Sequence, residues 1–332
     1  MFEEAQLYSP VSHHEDGTVE VHLGANHPGF NDPDYRARRN AIAARAVAWQ
    51  PRQPLPRIDY TDGETAIWRQ VSHELAEKHR RRAHPEYLAA KERLGLPADR
   101  IPQLDEVSTR LRELTGFSYV AAPGLVELRE FYSSLGDRVF HSTQYVRHPS
   151  EPLYTPEPDV IHEVLGHGNQ LASPRFAALT QAAGAAVMRA ERNETVQVIA
   201  DIFWFTMEFG VMYDGPELKV YGAGILSSYG EMDEFSHMEI RPLDLVQMAT
   251  LNYDITSYQP ILFAAESVGH LEDVVGEFFA ACDDEVPERM LAAAQTRSDA
   301  ELGGEIGDGH PAEGRAHRLT DASVEVDQRV LH

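Results

Sequence analysis

Between Tyr154 and His167 the chain reads YTPEPDVIHEVLGH, which places Asp159, His162, Glu163 and His167, two carboxylates and two imidazoles, within nine residues. Neutral imidazole nitrogens and carboxylate oxygens together make a ligand set for a divalent metal. The spacing falls one residue wide of HExxH, the zinc-binding helix motif in which histidines four apart return to one face. Here they are five apart, and at about 100° per residue an unbroken α-helix would leave them roughly 140° out of register. Gly166 stands where such a helix could end, because glycine tolerates the left-handed backbone that closes helices. The spacing therefore predicts two ligands presented from a helix end and its flank. Without a metal, the same pair reads as two partly buried histidines in a chain that has 16.

A third ligand has to come from elsewhere. Residues 195–213, TVQVIADIFWFTMEFGVMY, are strongly apolar yet carry Glu208 among Phe203, Trp204, Phe205, Met207 and Phe209. Burying a carboxylate in such company costs several kcal/mol unless it is paired, so a cation is a natural partner. On an amphipathic helix facing water, Glu208 would need none. Two histidines and one carboxylate with open positions is the facial arrangement of non-haem Fe(II) oxygenases. On the residues alone, Asp159, Glu163 and Glu231 stand as rivals of Glu208 for the third place.

The run TPEPDVIHEVLGH, followed by IFWFTMEFG and by YGAGILSSYGE at 221–231, resembles the tetrahydropterin-dependent aromatic amino acid hydroxylases. HPGFNDPDYRARR (27–39), IPQLDEVSTRLRELTGF (101–117) and RVFHSTQYVRH (138–148) extend the resemblance over most of the chain. It implies a mainly α fold, a single hydroxylase-like catalytic domain over residues 26–282 with a small β component around the active site. An N-terminal extension, 1–25, and an acidic, loosely ordered tail, 283–332, would flank it. The implied activity is that of a monooxygenase hydroxylating the ring of a free aromatic L-amino acid with Fe(II), O2 and tetrahydrobiopterin or a related tetrahydropterin.

The resemblance also assigns residues. His162, His167 and Glu208 match the iron ligands, and Arg147 and Glu163 match catalytic residues of the family. Arg147 matches the arginine that grips the substrate carboxylate, for which a guanidinium fork is suited, and Asp159 the residue that orients it. Thr155, Ser227 and Glu231 match polar members of the substrate pocket, and Pro158 and Trp204 its apolar walls. Phe131 matches the ring that stacks on the pterin, Gly124, Leu125, Val126 and His141 its surrounding loop, and Glu163 and Ala200 residues on the opposite side. Two departures stand out: Phe203 replaces a tyrosine found in many relatives, and Ile255 stands where the family partly sets substrate preference. A branched apolar residue there suits a nonpolar ring, so phenylalanine is the expected substrate and tyrosine the expected product. Formation of m-tyrosine, or of 5-hydroxytryptophan from tryptophan, is the alternative within the family, and a zinc-dependent hydrolase the alternative outside it.

Composition narrows the partners. Cys282 is the single cysteine, so an internal disulfide and a cysteine-based zinc site are both excluded. A net charge of -24 opposes binding to nucleic-acid backbones and anionic membranes. The apolar run at 198–213 is interrupted by Asp201 and Glu208 and is too short to cross a bilayer. The start MFEEAQLYSPVSHHEDG lacks the basic head and apolar middle of a signal peptide, so the cytoplasm is the expected location.

Helical elements must position these groups. Periodicity and capping residues predict helices over 34–49, 64–82, 104–114, 126–135 and 173–192, an apolar helix bearing Glu208, and further helices at 242–251 and 267–281. Alternating β-branched and aromatic residues predict a strand over 138–146. Residues 1–25 read as a loose extension. Residues 283–332 hold 12 acidic residues against 5 arginines, without the apolar heptads of a tetramerising coiled coil, so a monomer or dimer is expected.

Overall fold

Helix starts follow local chemistry. Asp32 accepts from the N–H groups of Asp34 and Tyr35 to cap α1 (Pro33–Ala48), whose first turn begins with proline, where no donor is needed. Thr61 and Glu64 close a reciprocal capping box at the start of α2 (Asp62–Arg82). α3 (Pro85–Leu94) ends at Gly95 with φ 59°, the left-handed stop that glycine permits. α4 (Leu104–Leu114) buries Leu104, Val107 and Leu111 on one face. α5 (Leu128–Gly136), α6 (Pro174–Arg189), capped by Ser173, and α7 (Asn193–Phe203) complete the larger helices around the site.

The structure is a computed structural model that describes residues 10–14, 18–253 and 258–304. The chain divides into two units, residues 1–294 and 295–332. Of the second, the described part is the end of a helix that spans Val286–Gly304. In the first unit one apolar core gathers Trp68, Tyr87, Phe117, Phe140, Phe176, Phe203, Phe205 and Phe263, all buried. α5 and α6 meet at two glycines: a Cβ on Gly184 would lie 2.0 Å from the backbone nitrogen of Gly136.

The β component is small, as expected. β1 (Val11–His13) and β2 (Val19–Val21) pair antiparallel, and β3 (Ser118–Ala121) and β4 (Val139–Ser142) pair parallel. A four-stranded sheet runs in the order β6 (Glu217–Val220), β5 (Val211–Asp214), β8 (Ile261–Ala265), β7 (Glu239–Pro242), with only the β5 and β6 pair antiparallel.

Several expectations are corrected. The segment read as a loose extension contains β1 and β2, and Val19, Val21 and Leu23 are buried beside Ala43 of α1. The strand expected over 138–146 stops at Ser142, because Thr143 and Arg147 direct their backbone N–H groups to Glu163 and Asp159 instead of to a neighbouring strand. The segment read as a loose tail opens with helix Val286–Gly304, while residues 305–332 lie outside the described part. α3 and the four-stranded sheet were not expected.

Candidate metal centre and active site

His162 and His167 lie on a π-helical segment, His162–Gly168, and the helix continues through Asn169–Leu171. The helix does not end at Gly166, as the spacing had suggested. It widens, and an i→i+5 hydrogen-bond repeat returns residues five apart to one face. Gly166 serves packing: a Cβ there would come within 2.7 Å of the Ala223 carbonyl oxygen, on α8 (Ala223–Ser227). Glu208 ends a second π-helical segment, Trp204–Glu208, that continues α7.

The three side chains converge. His167 Nε2 lies 2.8 Å from Glu208 Oε1 and 3.1 Å from His162 Nε2, and His162 Nε2 lies 3.9 Å from Glu208 Oε2. Donors in neighbouring positions around one ion, each at about 2.1 Å, are roughly 3 Å apart, so this set fits a single divalent metal. Ser227 donates its own proton towards Ala223 O (2.9 Å), so the 2.8 Å contact with His162 Nδ1 carries the imidazole proton to the serine. That leaves the His162 Nε2 lone pair directed at the cluster. Burial, and then the neighbouring His167, depress His162 to about 4, which keeps the ring neutral. Burial alone would raise Glu208, but the charge and hydrogen bond of His167, with His162 behind them, hold it below the usual carboxylate range.

Glu163 offers a rival ligand, since its carboxylate comes within 4.8 Å of the two imidazoles. Its oxygen instead faces the N–H and hydroxyl of Thr143 at 3.5 and 3.4 Å. Burial, with the charges of Glu208 and Asp159 added, pushes its carboxyl well above the ordinary value. Glu163 is turned to Thr143 whereas Glu208 Oε1 lies 2.8 Å from His167 Nε2, so Glu208 is the better candidate for the third donor. Asp159 is committed elsewhere. It takes Arg147 through Nε and Nη2, both at 2.9 Å, together with the Arg147 backbone N–H and the His162 N–H. Burial would raise Asp159, but the Arg147 charge together with the hydrogen bonds from Arg147 and from the His162 N–H holds it below the ordinary carboxylate value. The pair is thus a buried, satisfied salt bridge that fixes both the guanidinium and the start of the His162–Gly168 segment.

A cavity of about 250 Å³ opens beside the cluster. It is lined by His162, His167, Glu208, Glu163 and Arg147, by Thr155, Pro158, Trp204, Ser227 and Glu231 on one part of the wall, and by Gly124, Leu125, Val126, Phe131 and His141 on another. Phe131 stands edge-on to Tyr132 and Phe140. Trp204 Nε1–H donates to Gln259 Oε1 at 3.3 Å. Burial lowers His141 and raises Glu231 to about 7. Two expected residues do not line the cavity: Asp159 lies behind Arg147, and Ala200 is enclosed in the core on α7. Ile255 lies outside the described residues. Tyr132, Phe140, Thr143, Tyr154 and Tyr258 line the cavity without having been singled out. Thr143 sits inside the run RVFHSTQYVRH, but the aromatic residues carry no signal that separates a wall from ordinary packing.

Two imidazoles and one carboxylate beside a small-molecule cavity, on a mainly helical domain, define a mononuclear non-haem metal protein. A family model described as biopterin-dependent aromatic amino acid hydroxylase matches residues 11–289. The chain is similar to the phenylalanine 3-hydroxylase of Streptomyces coeruleorubidus, 48% identical over 259 residues that cover 78% of this chain and 93% of that protein. It is also similar to human phenylalanine-4-hydroxylase, 40% identical over 264 residues, covering 78% of this chain and 58% of the human one. Among solved structures it is similar to Chromobacterium violaceum phenylalanine hydroxylase with bound iron (III) and oxidised cofactor 7,8-dihydrobiopterin, with TM-score 0.64, 30% identity and coverage of 68% of this chain and 84% of that one.

The chain belongs to the biopterin-dependent aromatic amino acid hydroxylases. It is an iron- and pterin-dependent monooxygenase of aromatic amino acids, and the zinc-hydrolase alternative is set aside.

Proposed function

We propose that this enzyme hydroxylates the ring of free L-phenylalanine, with His162, His167 and Glu208 holding Fe(II). The convergence of those three donors beside the cavity carries the reading. When bound, iron and tetrahydropterin supply the reduction of O2 that the reaction needs and that side chains cannot perform. The protein's own residues bind and orient. Arg147, pinned by Asp159, receives the substrate carboxylate, and Thr155 and Glu231 add polar contacts. Pro158 and Trp204 hold the ring by apolar contact, an arrangement that excludes water from the reacting face. Phe131 offers a face for the pterin ring within the loop Gly124, Leu125, Val126 and His141. Glu163, on the cavity wall and held by Thr143, is placed to make a hydrogen bond with a pterin heteroatom. Ser227 acts behind the metal by fixing the His162 tautomer.

Two readings of the ring position have support. Tyrosine follows from the sequence analysis, whereas the 48% identity to a phenylalanine 3-hydroxylase, over 93% of that protein, favours m-tyrosine. Incubation with L-phenylalanine, Fe(II), O2 and tetrahydropterin should yield one of these two, separated by chromatography. If 5-hydroxytryptophan forms from tryptophan while phenylalanine is untouched, the substrate assignment is wrong. The single cysteine supports work in a reducing, cytoplasmic compartment. A monomer or dimer is proposed from the absence of sustained apolar heptads in the sequence, and light scattering on the eluted protein should give one of those masses and not a tetramer's.

A further inference from the structure

Seven residues ahead of Glu208, α7 carries a second acid that the metal centre does not use. Asp201 is 8% exposed, and its Oδ1 accepts from Gln197 Nε2 at 2.8 Å and from the Tyr253 hydroxyl at 3.0 Å. The Tyr253 ring lies flat on Trp204, with centroids 5.0 Å apart and planes 16° from parallel, and edge-on to Phe205 at 5.0 Å. Trp204 lines the cavity. Its indole is held further by Gln259 through Nε1–H and by Phe209 at a ring separation of 4.5 Å. Gln259 in turn directs its backbone N–H to Glu231, another lining residue. Packing alone would not call for an acid here, since burying a carboxyl is unfavourable and an apolar side chain would fill the space. What the acid adds is direction. The hydroxyl bond sets where the Tyr253 ring stands, and the stack sets the plane of the indole.

We propose that Asp201 and Tyr253 are positioning residues for the aromatic substrate, their hydrogen bond fixing the plane of the Trp204 indole against which the substrate ring is aligned. The inference rests on the reading that Trp204 forms the wall for that ring. Asp201 and Tyr253 touch neither substrate nor metal in this account. Losing a buried hydrogen bond that orients a binding wall should weaken ligand binding by about five-fold.

The test compares Asp201→Leu, Asp201→Asn and Tyr253→Phe in the full chain. Binding of L-phenylalanine to Co(II)-loaded protein by calorimetry is read alongside the KM values for L-phenylalanine and tetrahydropterin and the melting temperature. Asp201→Leu and Tyr253→Phe should each weaken phenylalanine binding and raise its KM by about five-fold while the pterin KM stays within about two-fold. Asp201→Asn, which still offers an acceptor, should restore near wild-type affinity. The proposal is overturned if Tyr253→Phe leaves phenylalanine binding and KM unchanged, whatever Asp201→Leu does to stability. It is equally overturned if the pterin KM rises as far as the phenylalanine KM. If the wild-type protein itself does not bind L-phenylalanine, the substrate assignment fails instead.

Discussion

Asp201 also has a consequence for stability. Burial raises its carboxyl from the ordinary 3.8 to about 6, against the hydrogen bonds of Gln197 and Tyr253 that favour ionisation. Below 3.8 both folded and unfolded chains keep this proton, so there is no cost. Between 3.8 and about 6 the unfolded chain loses the proton first, and stability falls as pH rises until the folded group has ionised too. The full cost approaches about 3 kcal/mol. Asp201→Asn removes it, so the melting temperature of the variant relative to wild type should climb from pH 4 to pH 7 and then level off. A difference that shrinks over that range would contradict the buried, raised acid. The candidate ligands were legible as candidates because imidazoles and carboxylates are rare at such density, and Glu208 drew attention through its apolar neighbours. Their shielding partners were less so. Nothing in the spelling of Ser227 marks it as the acceptor for His162 Nδ1–H, a contact made across 65 residues of chain.

Two widened helical segments, His162–Gly168 and Trp204–Glu208, place all three candidate ligands. The five-residue histidine spacing was itself the trace of the first. On α-helical geometry it points to a helix end, because residues five apart share a face on a π-helix and not on an α-helix. The larger amphipathic helices, α1, α2, α4 and α6, were found close to their observed limits because caps and apolar periodicity agree there. The four-stranded sheet was missed because each strand has only four or five residues, too few for alternation to show. Gly166→Ala tests how tightly the π segment and α8 are matched. Its Cβ, 2.7 Å from Ala223 O, should push α8 away, cost about 1–3 kcal/mol in unfolding experiments and loosen the Ser227 bond to His162. Fe(II) affinity should drop by about ten-fold or more. Gly184→Ala, whose Cβ would meet Gly136 N at the α5 and α6 contact, should cost stability while leaving iron affinity unchanged below its melting point. Equal iron affinity in Gly166→Ala and wild type would disconnect the glycine from the metal.

At the scale of the whole molecule, every site residue expected from the sequence that falls in the described part lies between Gly124 and Glu231, inside the first unit. The four-stranded sheet and the larger helices share one core that takes in Val164 and Leu165 of the first π segment and Phe205 and Met207 of the second, while β1 and β2 close a smaller apolar cluster over α1. The family match begins at residue 11, where β1 starts, which agrees with the N-terminal ribbon being part of the catalytic unit. All of this chemistry depends on one ion being held by side chains from two separate helices. Crystals grown anaerobically with Fe(II) and measured across the iron absorption edge test that most directly. A single anomalous peak should lie about 2.1 Å from His162 Nε2, His167 Nε2 and a Glu208 oxygen, the distance usual for such donors. A peak held by Glu163 in place of Glu208, or no iron between the two histidines, would contradict it.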